Sequence, residues 1–408
     1  MTAAGARRPK QAPGTPAPRL DPAKVHAWRV ERQLLGKAKA TSPVEVATTL
    51  LGVQAQVVSS AALAIALRSK PARGTTPVVA ATARALADRR LVRSWAMRGT
   101  LHLFAAEDVP TVAAALRGKE MWRRPAWLRW FGVTEPEMER LIETIGEVLD
   151  DGRPRTRAEL GEEIGARLGP KIGALLLGSW GSALKIASDH HYLVQSAEDE
   201  AGTRFVRASR WLGAWREEDK DEALARLVVR YLAAYGPATL KELLRWWGVA
   251  LVAVMRPVIE RLGDAVTEVD IDGTRAYIRT DDLPAIEATR PTKGKVRLVG
   301  GFDPFIVGAG LREQLIPARH LKRVSRTAGW ISPVVLVDGV AAGVWDARRT
   351  GSRLAITVEP FTEPSPRLRA SIGSAAREIG RAHGLSASVA YGSVFPEKPS
   401  RRPFKDTG

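Results

Sequence analysis

The stretch LVRSWAMRGTLHLF, residues 91–104, decides the fold class. It predicts two short strands joined by the turn Met97-Arg98-Gly99. The preceding stretch, PVVAATARALADRR (77–90), has the composition of a helix. A helix that leads into a hairpin is how a winged helix ends, and the winged helix is a helix-turn-helix variant whose hairpin forms the wing.

The same order of helices and a hairpin recurs twice. The second pass consists of predicted helices near 135–149, 157–167 and 174–188 and strands near 191–196 and 203–208. The third pass consists of helices in 222–236, 239–248 and 252–262 and a hairpin around Asp272-Gly273. Helix starts are marked by S/T-x-x-E capping boxes at Ser42, Thr134, Thr156 and Thr239.

From Val296 the chain changes to short apolar runs typical of strands, among them VRLVGGFDPFIVG, with one amphipathic helix in SPRLRASIGSAAREIGRAHG. The fold class is therefore α+β, with about three tandem winged helices and a C-terminal β-rich domain. The predicted units are a disordered basic arm at 1–20, winged helices at 21–106, 107–217 and 218–290, and a β-rich domain with one helix at 291–408. The alternative is a mixed α+β protein whose hairpins coincide by chance.

Composition narrows the class of protein. The 408 residues carry a formal net charge of +18, mostly from arginine, whose planar fork suits phosphate. Nucleic acid is thus the expected partner, and an arginine-rich proteome is the alternative reading. The chain has no cysteine, no metal-ligand spacing and no apolar run near the roughly 20 residues of a membrane span. We expect a cytoplasmic protein without a metal.

Enzyme motifs with phosphate loops or nucleophile elbows (GxSxG, GxGxxG) are absent from the sequence. The unusual stretch is LLGVQAQVVSS, residues 50–60, where Gln54 and Gln56 interrupt an apolar run. Residues two apart share a face only on an extended segment, and Gly52 favours an exit from the preceding helix. Both amides can then point into one space. The alternative is that they bond to neighbouring backbone.

Basic side chains near the predicted hairpin and near the C-terminal domain are candidates for DNA contacts, or else are solvated or locally paired residues. These candidates are Arg93, Arg98, His102, Arg319, His320, Lys322 and Arg323. Tryptophans are interpreted as packing residues rather than base-stacking ones, namely Trp122, Trp127, Trp130, Trp246 and Trp247. Asp303 is interpreted as a turn-former before Pro304, with a supporting role at the site as the alternative.

The segments LLGVQAQ, RSWAMRGTLHLF and GGFDPFIVG, in this order, resemble the HTH_42 winged-helix superfamily, and most closely its AlkZ-like DNA glycosylases, the azinomycin-resistance group. The resemblance covers roughly residues 20–400. That family carries Gln-apolar-Gln in one branch and Gln-apolar-Asp in the other. Gln54-Ala55-Gln56 is similar to the first branch.

The resemblance implies hydrolysis of the N-glycosidic bond of alkylated purines in double-stranded DNA. The substrates it implies are N7-alkylguanine, N3-alkyladenine, bulky natural-product adducts and interstrand crosslinks. It also implies a C-shaped arrangement of the winged helices around the duplex, with Gln54 and Gln56 as catalytic residues. We expect a monofunctional, nucleoid-associated monomer that needs no cofactor, in DNA repair or antibiotic self-resistance.

A glutamine cannot serve as a normal general base, because its amide does not titrate usefully. It can hold a water molecule, and a cationic alkylated purine leaves without an added proton. The runner-up is a winged-helix DNA-binding protein or transcription regulator without catalysis. The paired glutamines favour the enzyme, because a regulator needs no such pair.

Overall fold

The computed structural model describes residues 16–70, 77–117, 120–178, 182–190, 193–199, 202–248 and 252–395. Of the basic arm predicted at 1–20, residues 1–15 lie outside the described residues. Its last part is ordered: the amide of Asp270 donates to the carbonyl of Pro18, and the amide of Leu20 donates to the carbonyl of Asp270, both at 2.9 Å. Pro18 and Leu20 therefore belong to the fold, although the prediction placed them in the arm.

Outside residues 71–76, the first segment contains four α-helices and three strands. Its elements are α1 (Pro22–Arg32), α2 (Pro43–Thr49), β1 (Val53–Gln54), α3 (Val58–Ala66), α4 (Val78–Ala87), β2 (Leu91–Trp95) and β3 (Leu101–Ala105). The hydroxyl of Ser42 caps α2, but the Glu45 carboxylate accepts from Thr41 instead of Ser42. The first capping box is thus one-sided, whereas those at Thr134, Thr156 and Thr239 are complete.

The second segment is mostly helical. Its elements are α5 (Val109–Leu116), α6 (Pro125–Phe131), α7 (Glu135–Val148), β4 (Arg155–Thr156), α8 (Arg157–Leu168), α9 (Pro170–Leu177), α10 (Ser182–Asp189), β5 (Val194–Asp199), β6 (Gly202–Val206) and α11 (Ala208–Leu212). The helix predicted near 174–188 is two helices, because α9 ends at Leu177 before Gly178. The first two hairpins join in one six-stranded sheet of order β1-β3-β2-β5-β6-β4.

The third segment is mostly helical and carries its own two-stranded hairpin. Its elements are α12 (Lys220–Tyr235), α13 (Leu240–Trp247), α14 (Val252–Leu262), β7 (Val266–Ile271), β8 (Thr274–Arg279) and α15 (Leu283–Glu287). The predicted turn at Asp272-Gly273 is confirmed, since both residues have positive φ, as a tight hairpin turn requires.

The C-terminal segment is built on a five-stranded sheet. Its elements are β9 (Val296–Val299), α16 (Pro304–Val307), α17 (Arg312–Leu315), α18 (Leu321–Val324), β10 (Val334–Val337), β11 (Val340–Thr350), β12 (Arg353–Pro360), α19 (Pro366–His383) and β13 (Ser386–Tyr391). The sheet order is β13-β12-β11-β10-β9, with β13 parallel to β12. The run VRLVGGFDPFIVG is a strand only to Val299, because Asp303 caps a short helix that begins at Pro304.

Two hydrophobic clusters meet around the first segment. Leu63 on α3 packs with Leu298 and Trp345 of the C-terminal sheet. Met97 and Phe104 of the first hairpin share a cluster with Tyr231 and other residues of the third segment. The connection from α2 to α3, which holds Gln54 and Gln56, therefore lies where three segments of the chain meet.

Candidate active site around Gln54

The backbone between α2 and α3 leaves the helix as the sequence predicts. Leu51 has φ +54° and Gly52 has φ +89°, in the left-handed region that favours glycine. A Cβ at Gly52 would lie 2.5 Å from a ring carbon of Phe104. Glycine is required here for both reasons, and the extended strand β1 follows at once.

Gln54 is buried and pairs with His102 across the β1–β3 ladder. Its amide oxygen Oε1 accepts a hydrogen bond of 2.9 Å from Nη2 of Arg98. The alternative that it bonds to neighbouring backbone is therefore wrong for this oxygen, because its partner is a guanidinium 44 residues away in sequence.

Gln56 is exposed, and its Oε1 accepts from the backbone amide of Leu101 at 3.2 Å. The amide of Ala55 donates to the carbonyl of Leu101 at 2.7 Å, so Gln56 continues this edge of the sheet with a side-chain oxygen. Its oxygen does bond to backbone. Both glutamines thus contact the first hairpin, one at its turn and one at the start of β3.

Arg98 occupies the turn of that hairpin with φ +58°. Besides Gln54, its Nη2 lies 3.4 Å from Nε2 of His102, and its Nη1 donates to the carbonyl of Trp246 at 3.4 Å. Burial lowers the pKa of Arg98 to about 10, which leaves the side chain positively charged at neutral pH. The predicted phosphate contact competes with these bonds inside the protein.

His102 is buried, 2% exposed, on β3. Its Nδ1 lies 2.9 Å from the carbonyl oxygen of Thr100, so the network places a proton on Nδ1 and leaves Nε2 as the acceptor toward Arg98. A buried ring cannot reach a phosphate, so the structure makes His102 an internal support of Arg98 instead of the predicted DNA contact.

The third segment and the C-terminal segment close this site from the other side. Tyr235, Trp246 and Gly308 line a small cavity together with Gln54, Arg98 and His102. Its volume of ≈ 10 Å³ is about the space that one water molecule needs. The Tyr235 hydroxyl donates to the carbonyl of Leu50 at 2.9 Å and so fixes this wall to the end of α2.

Asp303, in the GFDPF segment, is completely buried and forms two hydrogen bonds with Arg68, of 2.7 and 2.9 Å. It also accepts from the amide of Phe305, which confirms the predicted turn-forming role. Arg68 follows α3 and donates further bonds to the carbonyls of Gln33 and Ala64. Sequence reasoning missed Arg68, because a lone arginine after an apolar helix carries no motif.

The other basic candidates lie in two places. Arg93 is half-buried in the middle of the six-stranded sheet, where it pairs with Leu103 and Gln195. The cluster at 319–323 is nearer the surface. Arg319 and Lys322 are exposed. The His320 ring stacks on that of Phe361 with 3.9 Å between the ring centroids, and Arg323 forms an ion pair with Glu359.

The prediction that the tryptophans pack holds for four of the five residues. Trp122, Trp246 and Trp247 are buried, and Trp127 is half-buried against Phe131. Trp130 was predicted to pack, but 66% of it is exposed, because no residue of α6 is buried.

The described residues support neither a metal site nor a membrane-spanning helix. Within them, no group of three or more His, Cys, Asp or Glu side chains is arranged to hold a metal ion. Among the helices that the structure describes, none has the length and apolarity needed to cross a membrane.

Comparison with known proteins gives a consistent result. The family model described as DNA glycosylase AlkZ-like matches residues 47–382. An interstrand DNA cross-link repair glycosylase of Streptomyces sahachiroi is 35% identical over 370 residues, which is 89% of this chain and 96% of the relative. The solved structure of the Streptomyces sahachiroi DNA glycosylase AlkZ superposes with a TM-score of 0.82 at 33% identity, over 90% of this chain and 99% of that one.

Proposed function

The chain belongs to the AlkZ-like DNA glycosylases, and from this membership we propose that it removes alkylated purines from double-stranded DNA with Gln54 and Gln56 as its catalytic residues. A DNA glycosylase hydrolyses the N-glycosidic bond between a base and its deoxyribose. Family membership therefore also decides against the non-catalytic regulator that composition alone allowed.

One observation carries the assignment of the site. The Gln54 amide is held at 2.9 Å by Arg98 beside a cavity with room for about one water molecule. An amide oxygen can accept two hydrogen bonds, and Arg98 uses one of them. We propose that the second acceptor direction of Gln54 takes an O–H of the attacking water, and that the remaining acceptor direction of Gln56, which is exposed and does not line this cavity, takes the other.

The reaction then needs no strong acid or base. The water oxygen forms a bond to C1′ while the C1′–N9 bond breaks, and the bonding electron pair goes to the purine. A cationic N7-alkylguanine leaves as a neutral base, and the water releases its proton to solvent. The transition state resembles an oxocarbenium ion, so a placed water supplies most of what the protein must add.

Arg98 acts as a positioning residue in this mechanism. Its guanidinium fixes which end of the Gln54 amide faces the interior, and its own place is fixed by His102 and by the carbonyl of Trp246. The turn that holds it is in the left-handed region, a strained conformation that occurs at functional sites.

The substrate class follows from the same chemistry. Two amides stabilise a developing cation less strongly than a carboxylate does, which favours bases that are already charged. N7-alkylguanine and N3-alkyladenine meet this condition. The Streptomyces relative is named for interstrand cross-link repair, and we extend that substrate, and a role in DNA repair or antibiotic self-resistance, to this chain as part of the proposal.

We also propose that the three helix-and-hairpin segments are winged helices arranged as a C around the duplex, in the units predicted from sequence. The hairpins β2–β3, β5–β6 and β7–β8 support the repeat. Exposed Arg319 and Lys322 are the proposed phosphate contacts of the C-terminal domain. The enzyme would act as a monomer at the nucleoid.

The test is base release from a duplex oligonucleotide with a single N7-methylguanine, measured by mass spectrometry without metal or nucleotide. We expect wild-type protein to release the base. Gln54→Ala and Gln56→Ala should each lower the single-turnover rate by about 100-fold, because a misplaced water costs roughly that factor. Affinity for the duplex should stay near that of wild type.

Gln314→Ala is the matched control, since Gln314 is a half-buried glutamine on α17 whose side-chain oxygen has no hydrogen-bond partner among the described residues. It should excise like wild type. Full activity of both Gln54→Ala and Gln56→Ala would exclude the proposed catalytic residues. If wild type binds but releases nothing, the same assay with a crosslinked duplex decides between a bulkier substrate and loss of the proposal.

A further inference from the structure

The loop between α18 and β10 is a short hairpin with an exposed aromatic side chain at its end. Ser325 and Ile331 form an antiparallel bridge, and the amide of Arg326 donates to the carbonyl of Trp330 at 2.8 Å. Ala328 and Gly329 turn the chain with φ of +55° and +73°. This geometry leaves Trp330 47% exposed.

Trp330 rests on a rigid support. Its ring lies edge-on to that of Phe302, with 5.0 Å between the centroids. Phe302 has φ +56°, and the next residue is Asp303, which the buried bonds to Arg68 hold in place. A strained residue persists only where its surroundings fix it, and such residues cluster at functional sites.

This support runs along α3, the helix that begins directly after the two glutamines. A Cβ at Gly300 would lie 3.2 Å from the Leu63 side chain. A Cβ at Gly301 would lie 3.2 Å from the carbonyl oxygen of Ile331 and 3.7 Å from the hydroxyl of Ser60. Ser60 lies in the first turn of α3, four residues after Gln56. The Trp330 hairpin therefore stands beside the N-terminal end of α3.

The surface around Trp330 combines apolar and basic groups. The apolar part is Trp330 itself, 47% exposed. Arg326 is exposed, with its guanidinium 3.9 Å from the ring centroid of Phe395, and Lys322 is exposed on the preceding helix. An aromatic side chain flanked by cations fits a ligand with flat bases and a phosphate backbone.

We propose that Trp330 binds DNA by stacking on a base beside the damaged nucleotide, in the gap that opens when the damaged base pair is unstacked. Phe302 holds the Trp330 ring in position by packing against it. Arg326 and Lys322 contact the phosphates next to the stacked base. The location relative to the damaged base rests on the proposed function of Gln54 and Gln56.

The chemistry of the substrate explains why an aromatic side chain is useful here. Water can reach C1′ only if the duplex deforms locally, and unstacking costs a few kcal/mol per base step. An inserted apolar side chain offsets that cost. Stacking is also tolerant of sequence, because every base presents a flat face. This tolerance suits a repair enzyme, because a damaged base can have any base as its neighbour in the sequence.

The test uses a duplex with 2-aminopurine next to a tetrahydrofuran abasic site, which cannot be cleaved by a glycosylase. We expect wild type to change the 2-aminopurine fluorescence on binding. Trp330→Ala should lose this change and bind about tenfold more weakly, as expected for one lost stacking contact. Trp330→Phe should restore most of both effects.

Trp130→Ala is the matched control, because Trp130 is also largely exposed but lies on α6, outside the contacts that surround α3. It should behave as wild type, and thermal melting should show that all three variants are folded. Wild-type fluorescence change and affinity in Trp330→Ala would overturn the inference.

The two proposals fail separately. If the glutamine variants lose excision while Trp330→Ala keeps the fluorescence change and affinity, the stacking role is wrong and the proposed function stands. If wild type releases no alkylated base from any substrate but still gives a Trp330-dependent signal, the proposed function is wrong and the stacking role stands.

Discussion

The first and the third hairpins arise from similar sequence patterns, but the first is almost entirely buried and the third is largely accessible to solvent. Every residue of β2 and β3 is buried except Arg93, and the turn between them points Arg98 at Gln54. Strands β7 and β8 bury only Val269, Ile271, Ala276 and Ile278, and the turn between them, Asp272-Gly273, is exposed. A hairpin after a helix therefore predicts a wing but not its exposure, which depends on what packs around it.

The sharpest way to test this contrast is to remove an arginine from each hairpin. Arg98→Ala should lower the single-turnover excision rate by about 100-fold, or about 2.7 kcal/mol, because the Gln54 amide loses its fixed orientation. Arg275→Ala, at an exposed position of β8, should leave the rate unchanged. Both rates can be measured with the N7-methylguanine duplex.

Affinity separates the two possible roles of Arg98. A positioning residue changes the rate and leaves DNA binding intact. Loss of a phosphate contact would instead weaken binding to all sequences. It would also reduce the slope of log K against log salt concentration by about one. Loss of affinity with an unchanged rate constant in Arg98→Ala would restore the phosphate role expected from sequence.

The sequence predicted the local parts of this site correctly. Gly52 ends the helix, the chain is extended at Gln54, and Asp272-Gly273 forms a tight turn, because each depends on residues only a few positions apart. The S/T-x-x-E pattern located four helix starts for the same reason, three of them with complete capping boxes.

The long-range parts could not be predicted. Arg98 meets Gln54 across 44 residues, and Arg68 meets Asp303 across 235. Such pairs depend on how segments pack, which periodicity does not encode. The predicted DNA contact at His102 failed for this reason, since burial of β3 removes its ring from the surface.

A smaller effect, on the free energy of unfolding, should follow from adding a methyl group at a glycine near each turn. Gly248, with φ +84°, lets the end of α13 approach the Arg98 backbone, and a Cβ there would lie 2.6 Å from the Arg98 Cα. Gly248→Ala combines a left-handed penalty with a clash and should cost about 2 kcal/mol or more. Gly273→Ala has only the penalty and should cost about 1 kcal/mol. Urea unfolding measures both, and equal costs would argue against a tight contact at Arg98.

The smallest effect is expected for the ion pair on the surface of the third hairpin. Arg275 donates to Glu268 at 2.9 Å, but its side chain is 79% exposed. Exposed pairs contribute about 0.2–1 kcal/mol, and salt screens them. A double-mutant cycle with Arg275→Ala and Glu268→Ala should give a coupling in that range that fades at 1 M salt. A coupling above it that persists in salt would mean that this hairpin, like the first, is held by its surroundings.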